Sequence, residues 1–183
     1  MNSKYTRLMR KIFLTVVVML MGVMAGRDAM GAAMPPVPDT GTYLGAILME
    51  GQTSIYQFNN DLDIQHAVFM EFLTFPEVLE GAERTKIENF INVCRSAGAI
   101  PALTLELPGG LNSYTAQQVE DFADFLNDFD MPMFLRWCHE MNGSWYAWGQ
   151  QPTLYIAKCR EFATDIHQHA PGLAMASTPN QGW

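Results

Sequence analysis

Short apolar runs alternate with longer amphipathic ones from residue 42 onward. Residues 42–49 (TYLGAILM), 66–72 (HAVFMEF), 100–107 (IPALTLEL), 131–138 and 173–177 have strand length and are mostly apolar, as strands covered on both faces are. Between them, residues 83–97 place Ile87, Phe90, Ile91 and Cys94 at spacings of three and four. That stripe predicts an amphipathic helix, which Gly98 ends. Thr115 predicts the cap of a helix reaching about residue 129, with Val119, Phe122, Ala123 and Leu126 on one face. Residues 152–169 predict another helix, with Pro152 at its start, where proline is tolerated. Residues 55–64 predict a weaker one.

The order β-α-β-α-β-α-β-α-β argues for parallel β/α units. No phosphate loop or GxGxxG follows the first strand, so a nucleotide site has no support. In β/α barrels the chemistry gathers just past the C-terminal strand ends.

The N-terminus follows a different pattern. Lys4, Arg7, Arg10 and Lys11 precede an apolar run at 12–25 (IFLTVVVMLMGVMA), and small residues follow. This predicts a secretory signal peptide over 1–33, cleaved after Ala33 or Ala25. The run is short for a bilayer span; an uncleaved anchor is the other reading. Residues 34–41 read as a Pro-rich linker and 42–183 as one domain. The expected location is extracellular, with no stable membrane insertion after cleavage.

Charge then narrows the partners. The whole chain carries −8; without residues 1–33, Lys+Arg falls from 11 to 6 and Asp+Glu from 19 to 18, leaving −12. So acidic a domain repels phosphate backbones, which argues against nucleic acid. A neutral polysaccharide is not repelled. Cys94, Cys138 and Cys159 lack metal-ligand spacing and read mainly as small buried hydrophobes; one disulfide is the alternative in an exported protein. His167 and His169, two apart on a helix, point different ways. No metal and no cofactor are expected.

One stretch stands out. Residues 134–149, FLRWCHEMNGSWYAWG, follow the fourth strand. Strand alternation places Phe134, Arg136, Cys138 and Glu140 on one side. Two readings of Glu140 stand: a general acid whose pKa is raised among aromatic rings, or a rim carboxylate paired with Arg136. Trp145, Tyr146 and Trp148 cannot all face one core. Flat rings with polar tips suit a sugar; Trp145 is expected to face it, and at least one other ring to be structural. His139 beside Glu140 reads as a hydrogen-bonding site residue or a rim residue. Glu106 and Glu71, near the ends of strands three and two, line the rim or are solvated.

The segment RWCHEMNGSWYAWG resembles the acid/base segment of glycoside hydrolase family 26, best known for secreted endo-β-1,4-mannanases. Arg136, Trp137, His139, Glu140, Met141, Asn142, Gly143, Trp145, Tyr146, Trp148 and Gly149 fall in the family's order. Residues 96–108 (SAGAIPALTLELP) are similar to the family's third strand, and Ser177-Thr178-Pro179-Asn180 to its fifth. The resemblance implies a (β/α)8 TIM barrel, here truncated after four β/α units plus a fifth strand. It implies a retaining double displacement on polysaccharide, β-mannan favoured, without cofactor. Glu140 matches the acid/base; His139, Trp145, Arg136, Asn180 and Trp148 match substrate-binding positions. Leu105 stands where the family often carries Trp, which removes one sugar contact. The family's nucleophile is a Glu at the end of strand seven, and no residue here matches it. Hence the alternative expectation of a non-catalytic carbohydrate-binding remnant, and a third, a half-barrel completed by dimerisation.

Overall fold

Five parallel strands form one sheet in the computed structural model of the protein, which describes Pro35, Pro38 and residues 40–48 and 54–181. The expected signal segment and half of the linker lie outside the described residues. The strands are β1 (Gly45–Ile47), β2 (Val68–Thr74), β3 (Ile100–Glu106), β4 (Met133–Trp137) and β5 (Leu173–Ala176). They lie in chain order, each paired in parallel with the next. Among the described residues the sheet does not close, because β1 and β5 each have a single strand neighbour. Helices connect the strands: α1 (Ile55–Leu62), α2 (Gly81–Ser96), α3 (Ala116–Asn127) and α4 (Pro152–His169). A 3-10 turn at Glu77–Leu79, which the hydrophobic pattern does not reveal, precedes α2.

The local chemistry explains the boundaries. Ser54 caps α1 by accepting from the Gln57 N–H. Thr115 and Gln118 close a reciprocal capping box at the start of α3, satisfying two otherwise orphaned donors. The predicted stripes are the buried ones: Ile87, Ile91 and Cys94 on α2, and Val119, Phe122, Ala123 and Leu126 on α3. Phe90 is only half-buried. Each Ile or Phe removed from water contributes roughly 1.5–3 kcal/mol.

The sheet has two unlike faces. Leu73, Leu103, Leu105, Leu135 and Trp137 join the helices in the main core. On the opposite face, register sets Phe72, Thr104, Arg136 and Ala176 in one row. Leu105 pairs with Leu73 and Trp137 and is fully buried on the helix side. It therefore could not contact a ligand on the other face even with a larger ring.

All three cysteines are free thiols, with Cys94 and Cys138 buried. Burial, helped by the Glu71 charge, pushes the Cys94 thiol up to about 12. Among the described residues no helix is long and apolar enough to cross a membrane, and no His/Cys/Asp/Glu group could hold a metal ion.

Candidate active site

Alternation along β4 holds through Trp137 and then breaks. Cys138 and Glu140 both take left-handed backbone, at φ 49° and 52°. Such conformations are costly for residues other than glycine and cluster at functional sites. Cys138 thereby joins the buried core instead of sharing a side with Phe134 and Arg136. The turn is pinned from below: the Tyr155 hydroxyl on α4 reaches the Trp137 and Cys138 carbonyls at 3.1 and 3.2 Å. It is pinned sideways by the Glu140 N–H, which donates to the Thr178 carbonyl at 2.8 Å.

Glu140 is half-buried, with its carboxylate open to solvent. The Trp145 indole N–H donates to its Oε2 at 2.9 Å. The Asn180 side chain, and next this indole, hold the carboxyl below its ordinary 4.5. This corrects the expectation of a raised pKa. The aromatic neighbours do not seal the carboxylate from water; one of them solvates it instead. Asn180 is itself fixed by a reciprocal pair with Asn142: Asn142 Nδ2 donates to the Asn180 carbonyl at 2.8 Å, and the Asn180 N–H donates to Asn142 Oδ1 at 2.7 Å. Asn142 thus couples the loops after β4 and β5.

The aromatic residues separate into two roles. Trp145 is 56% exposed, an open ring face beside Glu140. Trp148 is 2% exposed, and its indole N–H donates to the His139 carbonyl at 2.7 Å. Its ring stacks on Tyr146 at 4.3 Å with an 8° tilt. Trp148 supports the loop from beneath and offers no face to a ligand, contrary to the expectation that it binds substrate. Gly143 makes room for this layout: a Cβ there would stand 2.4 Å from the Trp145 ring.

His139 lies in a cage of Phe72, Tyr146 and Trp148 rings. Its Nε2 is 3.0 Å from the Tyr146 hydroxyl and 3.9 Å from Glu106 Oε1. Burial first, then the Arg136 charge, lower its pKa below 6.5 and keep the ring neutral. Arg136 donates from Nε to Thr178 Oγ1 at 2.6 Å. It feels the Glu140 and Glu106 charges but makes no direct ion pair with Glu140 among the described contacts. The pairing of Arg136 with Glu140 is thus long-range.

Glu106 belongs to this cluster. It continues the Thr104 face of β3, and burial raises its carboxyl above 4.5 against the opposing effect of Arg136. Glu71 does not belong: it pairs with Lys86 of α2 at 3.1 Å on the other side. Parity alone separates them, since Glu106 is two residues from Thr104 and Glu71 one from Phe72.

The family model for glycosyl hydrolase family 26 matches residues 106–169, from Glu106 to the end of α4. No curated protein matches the chain. A ruminal endo-β-1,4-mannanase of that family, known from its crystal structure, has a similar fold, with a TM-score of 0.55 at 13% identity. The match covers 81% of this chain and 40% of the mannanase, so the matched part spans less than half the length of that protein. In sequence over the segment that builds the site, and in fold over most of its length, this protein resembles glycosyl hydrolase family 26.

Proposed function

We propose that the chain forms an arc of a (β/α)8 barrel and carries the acid/base side of an exported, retaining endo-β-glycanase acting on β-mannan. The observation that carries this reading is the pairing of an exposed indole face with a carboxylate at a strand end, Trp145 on Glu140. A sugar ring stacked on Trp145 sets its glycosidic oxygen beside Glu140. Glu140 gives its proton to that oxygen as the C1–O bond breaks and a second carboxylate bonds to C1. Glu140 then takes a proton from water, whose oxygen displaces that carboxylate. Retaining chemistry needs the two carboxylates about 5–5.5 Å apart, and we assign no residue of this chain as the nucleophile.

Glu140, held by Trp145 and Asn180, suits the base half of this cycle. For the acid half it must be protonated. A sugar covering Trp145 removes water and competes for the indole donor, and both changes raise the pKa. The basic-then-apolar N-terminus supports export, and the acidic chain supports a neutral polymer as partner.

The test is reducing-sugar release from β-mannan by the protein as its native gene expresses it. Activity abolished by Glu140→Gln supports the reading; full activity in Glu140→Gln sinks it. The exposed Trp145 ring would serve equally in a second reading, a carbohydrate-binding remnant. Saturable manno-oligosaccharide binding without hydrolysis by the native product would select it.

A further inference from the structure

We infer that Glu106 fixes the tautomer of His139 and thereby presents the Tyr146 hydroxyl as a hydrogen-bond donor to a sugar hydroxyl beside Glu140. The sugar half of this inference rests on the carbohydrate reading above; the tautomer half does not.

A neutral imidazole carries one proton on one of two nitrogens. His139 is 3% exposed, and its Nδ1 is buried without a partner among the described residues. A proton on Nδ1 would bury an N–H with nothing to accept it. A proton on Nε2 leaves only a lone pair there, the milder of the two deficits. The acidic neighbour acts in the same direction. Glu106 Oε1 lies 3.9 Å from Nε2, too far for a hydrogen bond, and acts through its field. Burial raises the Glu106 carboxyl, and Arg136 beside it opposes that shift. Burial and the Arg136 charge disfavour the cation, and the Glu140 charge favours it; Glu106 is tied to the ring by its distance to Nε2.

With the proton on Nε2, the N–H donates to the Tyr146 oxygen at 3.0 Å. The Tyr146 hydroxyl proton then cannot point back at His139 and must find another acceptor. Stacking on Trp148 holds the ring, so only the proton is free to swing. Tyr146 is half-buried between Glu106, Glu140 and Arg136, all of which act on its hydroxyl. A sugar hydroxyl arriving beside Glu140 meets a held ring whose hydroxyl proton cannot turn toward His139.

The experiment uses the 15N-labelled full chain and long-range imidazole correlation spectra. The native chain is expected to show His139 protonated at Nε2, and Glu106→Gln, which keeps the shape and removes the charge, to shift it toward Nδ1. A native Nδ1 proton, or an unchanged tautomer in Glu106→Gln, overturns the inference. Titration with β-1,4-mannotetraose then tests the sugar half. Tyr146→Phe keeps the stacked ring and should weaken binding about tenfold, the worth of one hydrogen bond; unchanged affinity overturns that half. A chain that shows the Nε2 proton and binds no β-glycan sinks the carbohydrate reading while the tautomer assignment stands.

Discussion

The indole N–H of Trp145 donates to Glu140 Oε2 at 2.9 Å, joining an exposed ring to the carboxylate beside it. The contact stabilises the ionised carboxylate and leaves the ring face open. Trp145→Phe preserves a flat apolar face and removes the donor. The Glu140 pKa should then rise toward its ordinary value, though not fully, because the Asn180 side chain is the larger cause of its depression. Carboxyl 13C shifts followed through a pH titration measure this. An unmoved Glu140 would show that the indole does not set its ionisation.

Gly143→Ala should disturb the same contact from beneath. The added methyl group would meet the Trp145 ring at 2.4 to 2.6 Å. An exposed ring can swing away, so the stability cost should stay below about 1 kcal/mol. The indole would leave Glu140, and the carboxyl pKa should rise as it does in Trp145→Phe. A large loss of stability instead would mean that the loop backbone, not the ring, absorbs the clash.

The two tryptophans three residues apart should differ sharply in unfolding experiments. Trp148→Ala removes a buried ring, its stack on Tyr146 and the donor to the His139 carbonyl. The expected cost is about 3–5 kcal/mol. Trp145→Ala removes an exposed ring and should change stability by no more than roughly 0.5 kcal/mol. Urea denaturation of both variants decides the matter, and equal losses would contradict the division into support and open face.

Periodicity revealed the strands and helices because burial imposes it. The stripes on α2 and α3 are legible since those faces have no other partner than the core. The site was legible in part, through the density of aromatic and charged residues after β4. What failed there was the assumption that strand alternation continues. Two left-handed residues end it at Cys138, and nothing in the local sequence marks them, since neither is glycine or asparagine. The same turn puts Trp148 beneath the loop and Trp145 above it, which spacing cannot distinguish. The direction of the Glu140 shift was out of reach because it depends on Asn180, forty residues away. Glu106 had a usable signal in its parity with Thr104, but its value depends on contacts with the loop after β4.

The pH dependence of stability should reveal His139. Its folded pKa lies below the unfolded value of about 6.5. In the window below 6.5 the unfolded chain therefore binds more protons at this site, and stability falls as the pH falls. Two groups act oppositely. His169 has its pKa raised by Asp124, so its contribution is present below 6.5 and lost as pH rises through the folded value. Glu106, raised by burial, favours the folded state as pH drops through its own folded pKa. Glu140, lowered by Asn180 and Trp145, adds a loss of its own as pH falls through its folded pKa. The native curve sums all these groups, so the comparison must be with a variant. His139→Gln removes one titration and should flatten the acid-side loss between pH 7 and 5. His169→Gln should steepen it. Urea midpoints taken at half-unit pH intervals give both differences. Parallel curves for the native chain and His139→Gln would mean that the imidazole gains its proton as readily in its cage as in the unfolded chain.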